Sequence, residues 1–387
     1  MPAKKSHGST IRYAVLGGGL VGSVIARDLA NDRDAEVTVF DVSDENLARF
    51  ARVPRITTKK ADLSDQNVIR ESVADADCVV GAIPGRYGYA MLRTVIESGK
   101  PISDICFAPE DPLTLDGLAR EKGVTAVVDC GVSPGLSNLA IGRAAARLDS
   151  IEDAVIYVGG LPAVRHWPFE YRSVFSPTDV IEEYTRPARM IVGGSLVVKP
   201  ALSDVEPIDF PGVGTLEAFN TDGLRTLLAT VRASNMREKT MRYPGHAEKM
   251  RMLRDVGFFG ESPVDVDGTK IVPRALAEKL LFHLWKRPLN EPELTVLRII
   301  VRGSRTSSIA QLTFDLVDRT DTDGQTSMAR TTGFPCAIMA RMLAKHEYVD
   351  HGVRPPELFA ANQPVYEQLL RELKKRDVDL VEQEQMV

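Results

Sequence analysis

The 387-residue chain carries 48 Lys and Arg against 53 Asp and Glu, a net charge of −5, with 44% hydrophobic and 26% charged residues. This balance excludes wholesale disorder and a nucleic-acid binder that relies on bulk charge, and the length predicts two or three domains. No apolar run approaches the ~18 residues of a membrane span. Met1 to Thr10 is polar with two lysines and is expected to be a loose tail rather than a secretory signal. Cys78, Cys106, Cys130 and Cys336 form no CxxC pair and read as reduced, buried thiols of a cytoplasmic protein.

Ile11 to Leu16 is an apolar run that predicts a buried strand. It leads into Gly17-Gly18-Gly19-Leu20-Val21-Gly22, and Ser23 to Asn31 follows with helical spacing. Glu36 to Phe40 predicts a second strand, closed by Asp41, which lies 19 residues after Gly22. Strand, GxGxxG turn, helix, strand and acid in this order predict a dinucleotide site. Gly17 permits the tight turn, Gly19 lets the backbone approach a pyrophosphate, and Gly22 lets helix and strand close up. Leu20 and Val21 open the helix whose free N–H groups face the phosphates. Asp41 would accept hydrogen bonds from the adenosine ribose and repel a 2′-phosphate, so NAD is expected over NADP; Arg49 and Arg52 keep NADP open.

Ile56 to Lys60 is a weaker strand, followed by Asp62, placed either beside the adenine or as a helix cap. Cys78 to Ile83 is a stronger one, and its end at Ile83-Pro84 is expected on the nicotinamide side. Pro101 to Ile105 and Val124 to Asp129 continue the alternation, which predicts a doubly wound parallel sheet. The turn at Pro134-Gly135 reads equally as a second ligand-facing turn or as the start of the helix Leu139 to Arg147.

After about residue 150 the texture changes. Ala154 to Val158, Leu294 to Arg302 and Ile309 to Asp318 predict strands, with hairpins at Gly193-Gly194 and Asp267-Gly268. These predict a second, α+β domain with an antiparallel sheet. The expected boundaries are a tail over 1–10, a nucleotide domain over 11–135, a substrate and dimerisation domain over 136–325, and a returning segment over 326–387. In that last segment, Met328 to Leu343 predicts a loop and an apolar helix packing back on the first domain, and Leu369 to Val387 a solvent-facing helix.

Three polar clusters are candidates for chemistry. In Arg242-Tyr243-Pro244-Gly245-His246, Arg242 suits a carboxylate clamp and His246 a proton carrier. In the stretch from Glu217 to Leu224, Asp222 or Glu217 suits a substrate ammonium. In the stretch from Arg165 to Arg172, Glu170 and Tyr171 are site candidates, though such aromatic clusters more often pack. No HExxH or zinc spacing predicts a metal, and there is no GxSxG elbow or Walker loop.

With these residues in hand, the chain resembles the saccharopine dehydrogenase family, and within it the L-lysine 6-dehydrogenases. The matching stretches are VLGGGLVG (15–22), CGVSPGLSN (130–138), YVGGLP (157–162), FEYRSVFS (169–176), LEAFNTDG (216–223), RYPGHAEK (242–249) and MARTTGFP (328–335). The resemblance implies a Rossmann domain with an inserted α/β substrate domain and a homodimer through the latter. It implies NAD-dependent oxidation of the ε-amino carbon of L-lysine to 2-aminoadipate 6-semialdehyde and ammonia. A neutral amine is required for hydride loss, so a base must act; His246 is expected in that role. Arg242 would hold the α-carboxylate, Asp222 or Glu217 the α-ammonium, and Pro134-Gly135 would wall the nicotinamide. The alternatives are a saccharopine-type or carboxypolyamine dehydrogenase, with Arg165 or Arg172 taking a second carboxylate, and a non-catalytic NAD(H)-binding regulator.

Overall fold

The computed structural model of the chain describes residues 10–173, 177–288 and 291–386, so the expected tail lies, apart from Thr10, outside the described residues. The chain divides into two compact units. One runs through Leu139 and adds Ala329–Val378; the other is Ala140–Met328 with the chain from Asp379 on.

The first unit is built on a seven-stranded sheet. Its strands are β1 (Ile11–Leu16), β2 (Ala35–Asp41), β3 (Ile56–Lys60), β4 (Cys78–Gly81), β5 (Ile102–Asp104) and β6 (Thr125–Val127), with Gly352–Arg354 added at one edge. The order from that edge is β6-β5-β4-β1-β2-β3 and every pairing is parallel. This is the doubly wound parallel sheet expected. β4 is buried at every residue, which is why it reads as a continuous apolar run. The helix Gly85–Glu97 buries Met91, Leu92, Val95 and Ile96, the stripe a helical period lays on a sheet.

The expected loop before the late helix is absent: Ser327–Ala344 is one helix, with Pro335 inside it. Within the first unit, Gly333 lies close enough to Val21 and Ile25 that an added Cβ would be 3.2 Å from the Ile25 side chain. Arg341 holds the first helix, Leu20–Ala30, near its end. It bonds the Asp28 and Asp32 carboxylates, and Arg376 takes the other Asp28 oxygen at 2.8 Å. Asp28 is buried between two guanidinium groups. Asp28→Ala is therefore expected to cost about 3–5 kcal/mol by leaving them uncompensated, read as a lowered unfolding midpoint. A loss below 1 kcal/mol would show that the network carries no net stability.

In the second unit the strands are β7 (Ser150–Pro162), β8 (Ala188–Val192), β9 (Ser195–Lys199), β10 (Glu206–Phe210), β11 (Gly214–Asn220), β12 (Asn235–Arg242), β13 (Val264–Val266), β14 (Thr269–Ile271), β15 (Glu293–Arg305) and β16 (Ser308–Arg319). The large sheet runs β10-β11-β12-β7-β15-β16, then Val381–Met386; β8 joins it through β12 and carries β9. The sheet is mixed rather than antiparallel, because β7 and β12 pair in parallel. The two expected hairpins are β8–β9 and β13–β14; at the second, Asp267 and Gly268 both have positive φ (51° and 84°), as a type I′ turn requires. The tail departs from expectation. It is helical only over Gln363–Lys374, and Val381–Met386 then pairs antiparallel with β16. Leu312, Phe314 and Leu316 of β16 are buried while Thr313 and Asp315 are half-buried, so one face of the sheet is packed. Tyr171, Tyr184, Phe219, Met250, Leu281 and Trp285 form an apolar cluster with residues of the helices Pro177–Thr185, His246–Val256 and Pro273–Trp285.

Candidate active site

The nucleotide side lies where the strand order reverses, between β1 and β4. Gly17 follows β1 at φ +106°, and a Cβ there would stand 2.2 Å from the Ala82 carbonyl oxygen. A Cβ on Gly22 would stand 2.0 Å from the Gly17 carbonyl oxygen. A Cβ on Gly19 would meet nothing within 4 Å. The helix that starts at Leu20 and Val21 has no side-chain cap and no acid in its first turn. Two glycines are thus demanded by the protein's own backbone, and the third is demanded only if something else approaches. An uncapped helix start beside an open backbone fits a dinucleotide pyrophosphate.

Asp41 ends β2, buried. Its Oδ2 accepts the Gly18 N–H at 2.7 Å and the Asn46 amide at 3.1 Å, while Oδ1 accepts the Ser43 N–H at 2.8 Å. The acid thus fixes the glycine turn and keeps lone-pair capacity on Oδ1. Asp62 is exposed and closes a turn on Ser64, whose hydroxyl and N–H hold its carboxyl below the usual range; it caps no helix. Ile83 is buried and Pro84 precedes the helix Gly85–Glu97. At Pro134-Gly135 the loop folds on itself. The Gly131 N–H donates to the Pro134 carbonyl, and Gly135, at φ +143°, sits where a Cβ would be 1.8 Å from the Gly131 carbonyl oxygen. The Asn138 side chain braces this loop, accepting the Gly135 N–H and donating to Glu357.

On the second unit, residues of the three sequence clusters lie around the paired strands β11 and β12. Glu217 of β11 lies opposite Arg242 of β12, and Phe219 opposite Thr240. His246 is 0% exposed, and its ring contacts Tyr171 and Tyr184 at centroid distances of 5.2 and 5.6 Å. Nδ1–H donates to the Phe169 carbonyl and Nε2 accepts the Tyr184 hydroxyl, both at 2.8 Å. Burial, reinforced by the Arg242 charge, pushes the imidazole down to about 3. It is therefore neutral with both nitrogens engaged, which is not the state of a base poised near neutral pH. Arg242 is buried, donates to Glu183 at 2.7 Å, and stacks over Tyr171 at 4.8 Å.

Glu217 takes the Gly245 and Ala247 N–H groups at 2.9 and 2.5 Å, capping the helix His246–Val256. Asp222 is gripped by the Arg189 guanidinium through two bonds of 2.9 Å. The structure thus places Tyr171, His246 and Arg242 together, but gives Arg242, Asp222 and Glu217 protein partners where free substrate-binding groups were expected. Glu170, at φ +52°, is half-buried.

Three residues in this network were not singled out from the sequence: Glu183, Arg189 and Glu238. Glu238 is buried beside Thr221, whose hydroxyl donates to it at 2.5 Å, and burial pushes its carboxyl up to about 8. An acid inside the strand Asn235–Arg242 was the available signal, since a charged residue on a packed face needs a reason. Among the described residues, no group of three or more His, Cys, Asp or Glu could hold a metal, and no helix is long and apolar enough to cross a membrane.

Comparison with known proteins bears on both units. Residues 13–127 match the model described as "Saccharopine dehydrogenase NADP binding domain", and 131–379 match "Saccharopine dehydrogenase C-terminal domain". Among curated relatives, the mitochondrial alpha-aminoadipic semialdehyde synthase of Mus musculus is 23% identical over 93% of this chain and 47% of its own length, so the chain spans about half of that relative. The saccharopine dehydrogenase [NADP(+), L-glutamate-forming] of Pyricularia oryzae is 23% identical over 95% of this chain and 97% of its own. Among solved structures, apo saccharopine dehydrogenase (L-Glu forming) from Saccharomyces cerevisiae superposes with a TM-score of 0.80 at 19% identity, covering 97% of this chain and 100% of that one. These descriptions point to a nicotinamide cofactor and favour NADP over the NAD expected from Asp41.

Proposed function

Because the chain belongs to the saccharopine dehydrogenase family, whose members are oxidoreductases acting on C–N bonds, we propose that its substrate is L-lysine, oxidised at the ε-amino carbon. The carrying observation is the engagement of the two arginines considered for a second carboxylate. Arg172 donates to the Leu284 carbonyl and pairs with Glu291, and Arg165 stacks on Tyr243 at 4.3 Å. That favours a substrate with one carboxylate over saccharopine or a carboxypolyamine.

A bound nicotinamide would supply a hydride acceptor; Gly17, Gly19, Gly22 and Asp41 would hold the dinucleotide, and Ile83, Pro84, Pro134 and Gly135 would lie on its nicotinamide side. The ε-amine loses a proton and its carbon a hydride. Water then adds to the resulting iminium, releasing ammonia and 2-aminoadipate 6-semialdehyde. The proton acceptor must titrate near neutral pH, and Glu238 suits that role better than His246. Arg242, Asp222, Glu217 and Tyr171 serve as positioning residues around the substrate. NAD is the proposed cofactor, on the buried Asp41 carboxylate, which a 2′-phosphate would have to face.

The test is reduction of NAD or NADP at 340 nm with L-lysine, saccharopine and a carboxypolyamine. The expected result is turnover with lysine and NAD, rising with pH through about 8. Asp41→Arg should lower NAD use and raise NADP use. Turnover with saccharopine alone would overturn the substrate, and NADP preference in the unaltered protein would overturn the cofactor. Cofactor binding with no turnover on any amine would leave the non-catalytic regulator.

A further inference from the structure

Glu238, Thr240 and Arg242 alternate along β12, so their side chains leave one face of the strand. Thr221 follows β11, and its N–H donates to the Glu238 carbonyl at 3.3 Å, continuing the pairing that sets Phe219 opposite Thr240. Glu238, Thr221 and Thr240 are all buried. The Thr221 hydroxyl donates to Glu238 Oε2 at 2.5 Å and lies 2.8 Å from the Thr240 hydroxyl. A hydroxyl has a single proton to give. That of Thr221 goes to the carboxylate, so the Thr240 hydroxyl must donate to Thr221. Among the described residues Thr240 Oγ1 bonds Thr221 alone, which leaves it lone-pair capacity to accept a further donor.

On this face Thr240 stands between Glu238 and Arg242, and about 13 Å of strand separates those two. Arg242 is the residue that the proposed reaction sets beside the substrate. We propose that Thr240 and Thr221 relay the substrate's proton to Glu238, so that the carboxylate need not touch the amine. The inference rests on the reading of Glu238 as the proton acceptor. The amine N–H breaks as Thr240 Oγ1 gains a proton, the Thr240 O–H breaks as Thr221 Oγ1 gains one, and the Thr221 O–H breaks as Glu238 Oε2 gains one. Three bonds to hydrogen break and three form; the ammonium becomes an amine and the carboxylate an acid. Reversed, the chain returns the proton to solvent after the product leaves. The charges facing Glu238 are Glu183 of the helix Pro177–Thr185 and Asp222 after β11, and both oppose its ionisation. Glu183 is paired with Arg242 and Asp222 with Arg189. The Thr221 hydroxyl and the Gly223 N–H favour the ionised form.

The test is the pH profile of kcat on whichever amine the protein oxidises, beside infrared titration of the protonated-carboxyl band without substrate. It is run on the unaltered protein, Glu238→Gln, Thr221→Val, Thr221→Ser, Thr240→Val and Thr240→Ser. Thr240→Val should lower kcat about a hundredfold while the band still titrates at about 8, because the carboxylate keeps its donor. Thr221→Val should lower kcat as much and move the band to higher pH, because the donor that favours the ionised form is gone. Both serine variants should restore rate and titration. A parental kcat in Thr240→Val, with the pH limb lost in Glu238→Gln, would overturn the relay and leave Glu238 as a direct acceptor, even if Thr221→Val failed to fold. Equal losses in Thr240→Val and Thr240→Ser would also sink it, since the hydroxyl would not be what matters. A pH limb that survives in Glu238→Gln, or no turnover on any amine, would remove the acceptor and the relay together.

Discussion

Gly19→Ala is expected to leave the first unit folded, with its unfolding midpoint within a few degrees of the parent, and to lower dinucleotide affinity about a hundredfold. The methyl group meets nothing within 4 Å, and the backbone φ of −66° suits alanine. Only a ligand can object. A pyrophosphate drawn against this turn takes charge-assisted bonds from the helix N–H groups, each worth about 1.5–3 kcal/mol. Holding it off by one methyl group forfeits about 3 kcal/mol, which is roughly a hundredfold. Gly22→Ala provides the contrast. Its methyl lies 2.0 Å from the Gly17 carbonyl oxygen, so helix and turn must part and the fold itself loses about 1–3 kcal/mol or more. Fluorescence titration with NADH or NADPH, beside thermal unfolding, separates the two effects. Parental affinity in Gly19→Ala would show that the phosphates do not sit on this turn.

The second large effect is expected at His246. Its imidazole is held neutral, with a folded value near 3 against an ordinary value of 6.5. As pH falls below about 6.5 the unfolded chain takes up a proton that the folded chain refuses. Stability therefore falls with decreasing pH across the window from 6.5 towards 3, by up to about 1.4 kcal/mol per pH unit from this residue. His246→Phe should flatten that slope, while losing both ring hydrogen bonds and leaving the Phe169 carbonyl and the Tyr184 hydroxyl unmatched. Its cost at pH 8 should be about 2–4 kcal/mol. Denaturant midpoints at pH 5 and pH 8 for both proteins measure this. An identical pH slope in His246→Phe would mean that the ring titrates normally. A turnover limb near pH 6.5 that vanishes in the variant would restore it as the base.

The nucleotide half was legible in the sequence because its determinants are local. Two strands, one turn, one helix and one acid occur within Ile11–Asp41, and each has its own backbone reason. The substrate half was legible only as a set of polar clusters. That Tyr171, Arg242 and His246 meet follows from β12 and the helices around it, but what they do depends on partners from distant segments. Arg242 is matched by Glu183, Asp222 by Arg189, and the His246 ring by Tyr184 and Phe169. No spacing rule announces such pairs, so residues that looked free were assigned to ligands. The last strand was missed for a related reason. Val381–Met386 is mostly exposed and rich in Glu and Gln, and it becomes a strand through its pairing with β16 rather than through its own pattern.

That pairing has a consequence for biosynthesis. Residues of β16 wait for partners about seventy positions further along the chain (Leu312 for Glu384, Phe314 for Glu382). The first unit has the same arrangement, since β6 receives Gly352–Arg354 only after Ala140–Met328 of the second unit has been made. As the nascent chain emerges, each sheet can assemble while one rim still offers unsatisfied amides and carbonyls to any neighbour. The ribosome delivers each closing strand well after the strand it pairs with. The two rims are therefore the places where crowding, slow translation or a missing holdase would first turn this chain from folding to aggregation.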